Sequence, residues 1–296
     1  RYTRFNPALG LTYSPNAAIT AYAGYNEGMR APTAIELTCA DPNAPCKLPN
    51  SFLADPPLKK VVSKTIEVGA RGKLGTATNW SAALFRTDLR DDIQFVGSNG
   101  VALNAGYFQN VGTTRRQGLE LALSTRAGPF GTSLRYDRID ATYRTGFVEN
   151  SPSNSSADAN GAIAVGRGDR IPGIPRQVLK LRTEADATAQ WSVGANALFS
   201  SAVQARGDEN NRDVHGRIPG YARFALDTRW RAGRNLHLYA RIDNVFDRRY
   251  ANFGILGQNV FTGPAHAYDA VNPGTEQFIG PGAPRSVSAG LEYIFD

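Results

Sequence analysis

The eleven residues 285–295, RSVSAGLEYIF, constrain the fold most, because their side chains alternate strictly in polarity. Apolar residues occupy every odd position from Val287 to Phe295, and serine, glycine and glutamate occupy the even positions up to 292. Since successive side chains of a strand point to opposite faces, the segment predicts a strand with one apolar and one polar face. A strand that crosses a bilayer needs about 9–11 such residues, although an edge strand of a soluble sheet shows the same pattern.

The same alternation recurs along the chain and is clearest near Leu121, Phe199, Trp230 and Leu238. It predicts eleven strands, at residues 2–14, 17–28, 61–74, 78–95, 106–127, 130–145, 172–186, 189–206, 217–231, 235–251 and 284–295. The connections are alternately short and long, as in transmembrane barrels with short periplasmic turns and long extracellular loops. The sequence therefore predicts an all-β, antiparallel transmembrane β-barrel wall of about eleven strands, curved as half a barrel. Binding residues are expected in its long loops.

Composition excludes two other classes of protein. No run of about 18 apolar residues occurs in the 296 residues, so the sequence contains no candidate transmembrane helix. The net charge of +7 is not gathered into one patch, as a nucleic-acid-binding protein requires, but is spread over single residues and pairs such as Arg115–Arg116. We therefore expect no nucleic-acid partner. The chain opens on Arg1 without a signal peptide, which predicts a piece of a longer precursor.

Cys39 and Cys46 are the only cysteines and lie seven residues apart in the segment CADPNAPC. Cysteine-rich metal sites use other spacings and a second ligand pair. We predict a disulfide that closes a small loop in an oxidising compartment. Two free thiols are the alternative.

No catalytic site, metal site or cofactor is predicted. The three histidines, His215, His237 and His266, are far apart, and neither a His-x-x-x-His pair nor a Gly-x-Ser-x-Gly motif occurs. The segment DENNRD at 208–213 lacks the glycine and closing glutamate of a calcium loop, so we interpret it as a solvated loop. The Ser/Asn/Gly-rich segment 151–161 predicts a mobile loop.

The ninth and tenth predicted strands carry charges on the face opposite their apolar residues. These polar, lumen-facing residues are Arg223, Asp227, Arg229, His237, Arg241 and Asp243. Residues directly opposite each other in an antiparallel pair share a face. A three-residue turn of residues 232–234 therefore predicts that Arg223 pairs with Asp243, and Asp227 with Tyr239. The resulting ladder suits a wall that contacts an interior domain, whereas charges solvated in a wet lumen are the alternative.

Four segments occur in the order of the signatures of TonB-dependent outer-membrane receptors. They are YNEGMRAPTAIEL (25–37), TIEVGARG (65–72), FQNVGTTRRQGLEL (108–121) and IDNVFDRRYAN (242–252). The spacing of Gly290, Tyr293 and Phe295 also resembles the C-terminal assembly signal of outer-membrane barrels, although Asp296 follows the last aromatic residue. The chain thus resembles the C-terminal half of a TonB-dependent receptor barrel over nearly its whole length.

The resemblance implies a 22-stranded barrel filled by an N-terminal plug. Residues 1–296 would be its C-terminal portion, without the plug, the TonB-contacting box and the first barrel half. It further implies a Gram-negative outer-membrane location and energised uptake of a scarce nutrient, such as a ferric siderophore, haem or a cobalamin-like chelate. The implied partners are that small-molecule chelate, the inner-membrane TonB complex, the barrel assembly machinery, and outer-membrane lipid with lipopolysaccharide. A passive channel or a surface-adhesion barrel is the alternative.

Five loop residues are candidates for ligand contact: Arg167, Arg170, Arg206, His266 and Tyr268. The arginines suit an anionic chelate, and they suit the phosphates of lipopolysaccharide equally well. The sequence leaves both interpretations open.

Overall fold

The computed structural model describes residues 2–41, 58–97 and 106–295. These residues form nineteen strands and one short helix. In chain order they are β1 (Ala8–Asn16), β2 (Ile19–Arg30), α1 (Ala34–Thr38), β3 (Val61–Leu74), β4 (Thr78–Arg90), β5 (Ile93–Gly97), β6 (Gly106–Asn110), β7 (Thr114–Ala127), β8 (Phe130–Tyr143), β9 (Phe147–Asn150), β10 (Ala162–Val165), β11 (Gln177–Asp186), β12 (Trp191–Ser200), β13 (Tyr221–Arg231), β14 (Leu236–Asp243), β15 (Ala251–Asn259), β16 (Phe261–Thr262), β17 (Ala267–Tyr268), β18 (Gly274–Pro281) and β19 (Ser286–Tyr293).

Eleven of these strands form one antiparallel sheet, in the order β1-β2-β3-β4-β7-β8-β11-β12-β13-β14-β19. Each strand pairs with the next one of the eleven along the chain, so the sheet is a meander. Each of the eleven predicted strands overlaps one of them, which confirms the predicted class and strand count. Because the strands alternate in direction, the short turns lie at one end of the sheet and the long connections at the other.

One face of the sheet is apolar from edge to edge. Directly paired residues lead from Ala23 through Val68 and Leu84 to Leu119 across four strands. On β1 the same face carries Leu11, opposite Ala23, and on the strands beyond β7 it carries Tyr136, Leu179, Phe199, Leu226, Ile242 and Val287. Many of the large side chains on this face are exposed, Leu84 by 56%. An apolar surface of this extent requires apolar surroundings.

The register of β13 and β14 differs from the predicted one by two residues. Asp227 lies opposite Arg241, whereas the sequence predicted Tyr239 at that position. The predicted pairing of Arg223 with Asp243 is likewise wrong, because Leu226 opposite Ile242 is the last pair of the ladder. A shift of two residues leaves every side chain on its predicted face, since the side-chain period of a strand is two.

The shift arises in the turn. The N–H of Ala232 donates to the carbonyl of Leu236 over 2.9 Å, so the loop comprises residues 233–235 and not 232–234. Both loops contain three residues and one glycine, and the sequence pattern does not distinguish them.

The long connection after β2 contains α1, which was absent from the sequence-based expectations. Thr33 caps this helix: its Oγ1 accepts the Glu36 N–H at 3.3 Å, and Glu36 Oε2 accepts the Thr33 N–H at 2.7 Å. Arg30 Nη1 donates to the same carboxylate over 2.6 Å. The RAPTAIEL motif is thus a capping box with an added ion pair. Five residues are too few to show a helical period.

The other long connections are also more ordered than predicted, because they contain eight short strands. The buried hydrophobic clusters lie at this end of the molecule. No helix among the described residues is long and apolar enough to cross a membrane.

Gly118 of β7 allows the close approach of β8. A Cβ atom on Gly118 would overlap the backbone carbonyl oxygen of Arg138. We expect Gly118→Ala to lower the free energy of unfolding of the full-length parent protein by about 1–3 kcal/mol, because backbone atoms of a paired strand must move. The urea midpoint in detergent measures this. Gly233→Ala is the matched control, because no atom lies within 4 Å of its added Cβ. Equal midpoints for both variants would contradict the explanation.

Candidate functional site

The long connections form a folded layer at one end of the sheet. Strands β5 and β6 come from the connection 91–113, and β9 and β10 come from the connection 144–176. They pair in the order β10-β9-β5-β6, with Gly97 opposite Asn150. The buried residues beside them are Val96, Val111, Ala141, Tyr143, Ile163, Val165 and Ile171. Two connections that are distant in sequence therefore act as one folded unit.

Segments 151–161 and 207–213 are fastened together by hydrogen bonds, and we call this contact the polar joint. Ser151 Oγ and Asn154 Nδ2 both donate to the Gly207 carbonyl, at 2.7 and 2.9 Å. Asn154 is only 4% exposed. The prediction of a mobile loop at 151–161 is therefore wrong. The Ser and Asn side chains that suggested mobility instead satisfy buried backbone groups.

Asp208 organises the segment 208–213. Its Oδ1 accepts the N–H groups of Arg212 and Asp213 at 2.8 and 2.9 Å, and the residue is 1% exposed. Burial raises the pKa of the Asp208 carboxyl despite these hydrogen bonds. The interpretation of a solvated loop is therefore wrong. Among the described residues, no group of three His, Cys, Asp or Glu side chains could hold a metal ion.

Glu149 on β9 and Glu209 in the connection 201–220 form a buried pair of carboxyl groups beside the polar joint. They are 8% and 6% exposed. The Gly207 N–H donates to Glu209 Oε1 at 3.2 Å, whereas Glu209 Oε2 has no hydrogen-bond partner. Burial and the negative charge of Glu209 raise the pKa of Glu149 to about 9, although the positive charge of Arg206 opposes them. Burial likewise raises the pKa of Glu209. The pair therefore holds a proton at neutral pH.

Strands β15 and β18 form a ribbon that packs on the connection 201–220. The Arg206 N–H donates to the Gly254 carbonyl at 2.9 Å, and the Leu256 N–H donates to the Arg206 carbonyl at 2.8 Å. Leu256 is buried in a cluster with Ile218. The last long connection is thereby joined to the connection 201–220 and, through the polar joint and the four-stranded sheet, to the connections 144–176 and 91–113.

The five candidate ligand residues are distributed over three connections. Arg167 and Arg170 follow β10, Arg206 lies between β12 and β13, and His266 and Tyr268 lie at the tip of the ribbon. The backbones of Arg170 and Arg206 are fixed by bridges to neighbouring segments. Hydrogen bonds between these five side chains do not occur in the described part of the chain. Their contact with a ligand stays a prediction.

A charge network on the polar face of the main sheet centres on Asp227. The two terminal nitrogens of Arg182 donate to its carboxylate at 2.9 and 3.1 Å, and Asn196 Nδ2 donates at 2.9 Å. Arg241, opposite Asp227, donates to Asp243 at 2.8 Å. Arg182 and Asn196 were not predicted, because they belong to β11 and β12. Only the pairing of β11, β12 and β13 brings them to Asp227.

The remaining predicted ladder residues lie on the same face without joining that network. Arg229 lies opposite Tyr239. His237 Nδ1 is 3.6 Å from Glu292 Oε2. Arg223 lies opposite Leu198 of β12. The role of these residues as a wall against an interior domain stays a prediction.

The IDNVFDRRYAN motif forms the tight turn that follows β14. The Asn244 side chain, 1% exposed, donates to the carbonyls of Arg248 and Ala283 at 3.0 and 3.1 Å. Its Oδ1 accepts the Arg248 N–H at 3.0 Å, and its φ is 49°. Asp247 Oδ1 accepts the Arg285 N–H at 2.8 Å. The side chains of Asn244 and Asp247 therefore hold the start of the last long connection against its end.

The C-terminal strand β19 pairs with β14, and Gly290 lies opposite Tyr239. The rings of Tyr293 and Phe295 meet edge to face at 4.9 Å, and Phe295 is 86% exposed. This geometry leaves both rings accessible, as a recognition signal requires. The assembly role of Gly290, Tyr293 and Phe295 stays a prediction.

Cys39 is the C-cap of α1 and is 3% exposed, whereas Cys46 lies outside the described residues. Their pairing stays a prediction. We expect a disulfide that closes the small loop and contributes about 2–3 kcal/mol to its order. Peptide mapping of the oxidised parent protein should recover the two cysteines in one crosslinked peptide. Alkylation of both thiols under native, non-reducing conditions would rule the bond out.

Residues 1–245 match the protein-family model described as TonB dependent receptor-like, beta-barrel. A curated relative is the probable TonB-dependent siderophore receptor PiuA of Acinetobacter baumannii, 26% identical over 243 residues that cover 81% of this chain and 30% of the relative. The chain thus spans about a third of the length of this relative.

Three solved structures share the fold. The siderophore receptor PiuA from Acinetobacter baumannii has a TM-score of 0.64 at 19% identity and covers 96% of this chain and 35% of that one. The ferric yersiniabactin uptake receptor FyuA from Yersinia pestis has a TM-score of 0.65 at 17% identity and covers 98% of this chain and 37% of that one. The copper transporter OprC has a TM-score of 0.67 at 18% identity and covers 97% of this chain and 39% of that one. At these identities the structures show the fold alone.

TonB-dependent receptors are an outer-membrane transporter family and not an enzyme family. In a barrel of this kind the apolar face of the sheet meets lipid and the polar face lines the lumen. The matched region covers most of the chain and ends at residue 245, inside the turn that begins at Asn244. The chain therefore belongs to the TonB-dependent receptor family and matches the C-terminal part of the β-barrel of its siderophore receptors.

Proposed function

We propose that the parent protein of this chain imports a ferric siderophore or a similar metal chelate. The observation that carries the proposal is the match of residues 1–245 to the TonB-dependent receptor barrel. The names of the relatives support it, because PiuA is a siderophore receptor, FyuA is a ferric yersiniabactin uptake receptor and OprC is a copper transporter.

We propose further that residues 1–296 are the C-terminal portion of a longer receptor. The plug, the TonB-contacting segment and the first barrel half would belong to the rest of that receptor, and energy would come from the inner-membrane TonB complex. Surrounding lipid would contact the apolar face. The barrel assembly machinery would recognise Gly290, Tyr293 and Phe295.

The layer of long connections supports binding at the outer end of the barrel. The four-stranded sheet, the polar joint and the ribbon join four connections into one surface, so a ligand would meet side chains in fixed positions. Arg167 and Arg170 provide positive charge there, and guanidinium groups suit the carboxylate or catecholate oxygens of an anionic chelate. The charges around Asp227 would face the plug from the lumen wall.

Uptake of radiolabelled ferric siderophores by cells with and without the parent gene tests the proposal. We expect accumulation of one chelate that is lost when the TonB complex is deleted or the proton-motive force is collapsed. Uptake that survives both treatments would indicate a passive channel, and cell attachment without uptake would indicate an adhesin. Either result would contradict the proposal.

A variant pair locates the ligand contact. Arg170→Ala should weaken chelate binding by about tenfold if its guanidinium contacts the ligand. Arg234→Ala, in the turn between β13 and β14 at the opposite end of the sheet, should leave binding unchanged. If the two variants bind the chelate with equal affinity, Arg170 does not contact the ligand, and the proposed transport function is unaffected.

A further inference from the structure

A cavity on the polar face of the main sheet, near its short-turn end, lies outside the sites described above. Its volume is about 520 Å³, and residues of β2, β3, β4, β7 and β8 line it. Three of the lining residues are cations, namely Arg71 and Lys73 of β3 and Arg135 of β8. The polar residues between them are Thr20, Asn79, Ser81, Ser124 and Ser133. We call these cations and polar residues together the lumenal basic pocket.

The strand register places the two arginines on either side of a floor of small residues. Arg71 lies opposite Ser81, and Ser81 lies opposite Ala122 of β7. Ala122 in turn lies opposite Arg135. Because neighbouring strands are about 4.8 Å apart, the backbones of the two arginines are about 14 Å apart. The two long side chains can therefore converge on a group that rests on the small residues between them.

The cations of the pocket have no internal counter-charge. No acidic residue lines the pocket, and Arg71, Lys73 and Arg135 form no salt bridge within the described part of the chain. Two neighbouring lumenal cations differ in this respect. Arg182 donates to Asp227 over 2.9 Å, and Arg126 lies 3.5 Å from Glu184. These neighbours are neutralised within the wall, whereas the pocket offers three positive charges to an anion from outside the wall.

A pair of carboxylates separates the pocket from the layer of long connections. Glu120 lies opposite Asp137, one step closer than Ala122 and Arg135 to the long-connection end of the same face. Neither carboxylate forms a salt bridge with another described residue. Negative charge therefore lies between the pocket and the outer end of the sheet, so the pocket is not an extension of the outer binding surface.

The donors and the size of the pocket suit a small ligand that carries several anionic oxygens. Guanidinium groups bind carboxylate, catecholate or phosphate oxygens in pairs, and an ammonium group adds a point charge. The serine and threonine hydroxyls and the Asn79 carboxamide can donate further hydrogen bonds. Small-molecule sites have volumes of about 300–1,000 Å³, and this cavity falls within that range.

We propose that the lumenal basic pocket is a transit site for the anionic chelate, which it holds inside the lumen after the outer surface has released it. The inference rests on the proposed import of a metal chelate, and it adds that the chelate is bound a second time near the short-turn end. A pocket lined by charges of one sign raises the local concentration of the opposite ion. An acidic segment of an interior domain is the other possible occupant, and the experiment separates the two.

The test compares surface binding with uptake in cells that express the full-length parent protein, with radiolabelled ferric complexes of catecholates, hydroxamates and citrate as probes. The pocket variant carries Arg71→Gln, Lys73→Gln and Arg135→Gln. We expect its Kd for binding to energy-depleted cells to stay within about twofold of the parent value and its maximal uptake rate to fall about tenfold. A variant with Arg71→Lys and Arg135→Lys keeps the charge, so its maximal rate should stay within about threefold of the parent rate.

The control variant carries Arg223→Gln, Arg229→Gln and Arg234→Gln, three cations of β13 and the following turn that lie outside the pocket. Its maximal uptake rate should equal that of the parent. An equal loss of uptake in the control variant would indicate a general effect of lumenal charge and would overturn the proposal.

Four other results would also contradict a transit site. An unchanged maximal rate in the pocket variant would show that the three cations take no part in transport, and a low rate in the charge-retaining variant would show that positive charge is not what the pocket supplies. Weaker surface binding by the pocket variant would assign the cations to the outer site. A lower urea midpoint or faster proteolysis of the interior domain in that variant would assign the pocket to an acidic segment of this domain. Absence of uptake by the parent itself would contradict the proposed function, and the transit site would fall with it.

Discussion

Replacement of Asn244 by alanine should lower the free energy of unfolding of the parent barrel by about 2–4 kcal/mol. The substitution leaves the carbonyls of Arg248 and Ala283 without their buried donor, and each orphaned group costs about 1–3 kcal/mol. Alanine must also adopt the positive φ of 49°, which asparagine tolerates through local hydrogen bonds but other L-residues adopt only at a cost of about 1 kcal/mol.

Asn252→Ala provides the matched control, because Asn252 is the last residue of the same motif and its side chain is exposed. Two measurements test whether the Asn244 side chain holds the turn: the urea midpoints of the two variants, and the hydrogen exchange of residues 244–250 and 283–286. We expect a lower urea midpoint and faster hydrogen exchange in both segments for Asn244→Ala only. A variant that unfolds like the parent would show that the turn is not held by this side chain.

The stability of the layer of long connections should depend on pH through the buried pair Glu149 and Glu209. The pKa of Glu149 is raised in the folded protein to about 9, against an ordinary value of 4.5. Between these pH values the Glu149 carboxyl binds a proton in the folded protein and releases it when the layer of long connections opens. The folded layer therefore loses stability as pH rises. The slope is at most about 1.4 kcal/mol per pH unit. Below pH 4.5 the stabilisation from this pair is complete, and above pH 9 it is lost.

Glu149→Gln should reduce this pH dependence by the contribution of Glu149, because glutamine stays neutral and still occupies the buried position, whereas burial continues to raise the pKa of Glu209. The free energy of opening of residues 147–165 and 207–213 can be obtained from hydrogen exchange at pH 5.5, 7 and 8.5, corrected for intrinsic exchange at each pH. Glu276→Gln, on the exposed side of the ribbon, is the control and should retain the slope of the parent. Identical slopes for the two variants would contradict a proton held by this pair.

The fold was predictable because membrane-crossing strands alternate in polarity, and this period persists over eleven strands. The face of each residue in β13 and β14 followed from whether its position is odd or even. The pairing of Asp227 with Arg241 did not, because loops 232–234 and 233–235 have the same length and both contain Gly233. Parity specifies the face of a side chain, whereas register depends on the turn.

The layer of long connections was not predictable by the same reasoning. Segment 151–161 has the composition of a mobile loop, and its partner segment 207–213 has that of a solvated one. Their order comes from each other, through the bonds from Ser151 and Asn154 to Gly207. Short polar side chains that satisfy backbone groups across a long sequence separation leave no periodic signal. The capping box of α1 did leave a local signal, Thr33 followed by Glu36.

We expect the polar face of this sheet to meet the lumen and the apolar face to meet lipid in the outer membrane. Single cysteines at positions 224–230 of the parent protein, spin-labelled in outer-membrane vesicles, test this orientation, with the unsubstituted parent as the background. Accessibility to lipid-soluble oxygen should alternate with a period of two, high at positions 224, 226, 228 and 230 and low at 225, 227 and 229. Oxygen accessibility without that period, or highest at Asp227 and Arg229, would contradict the account.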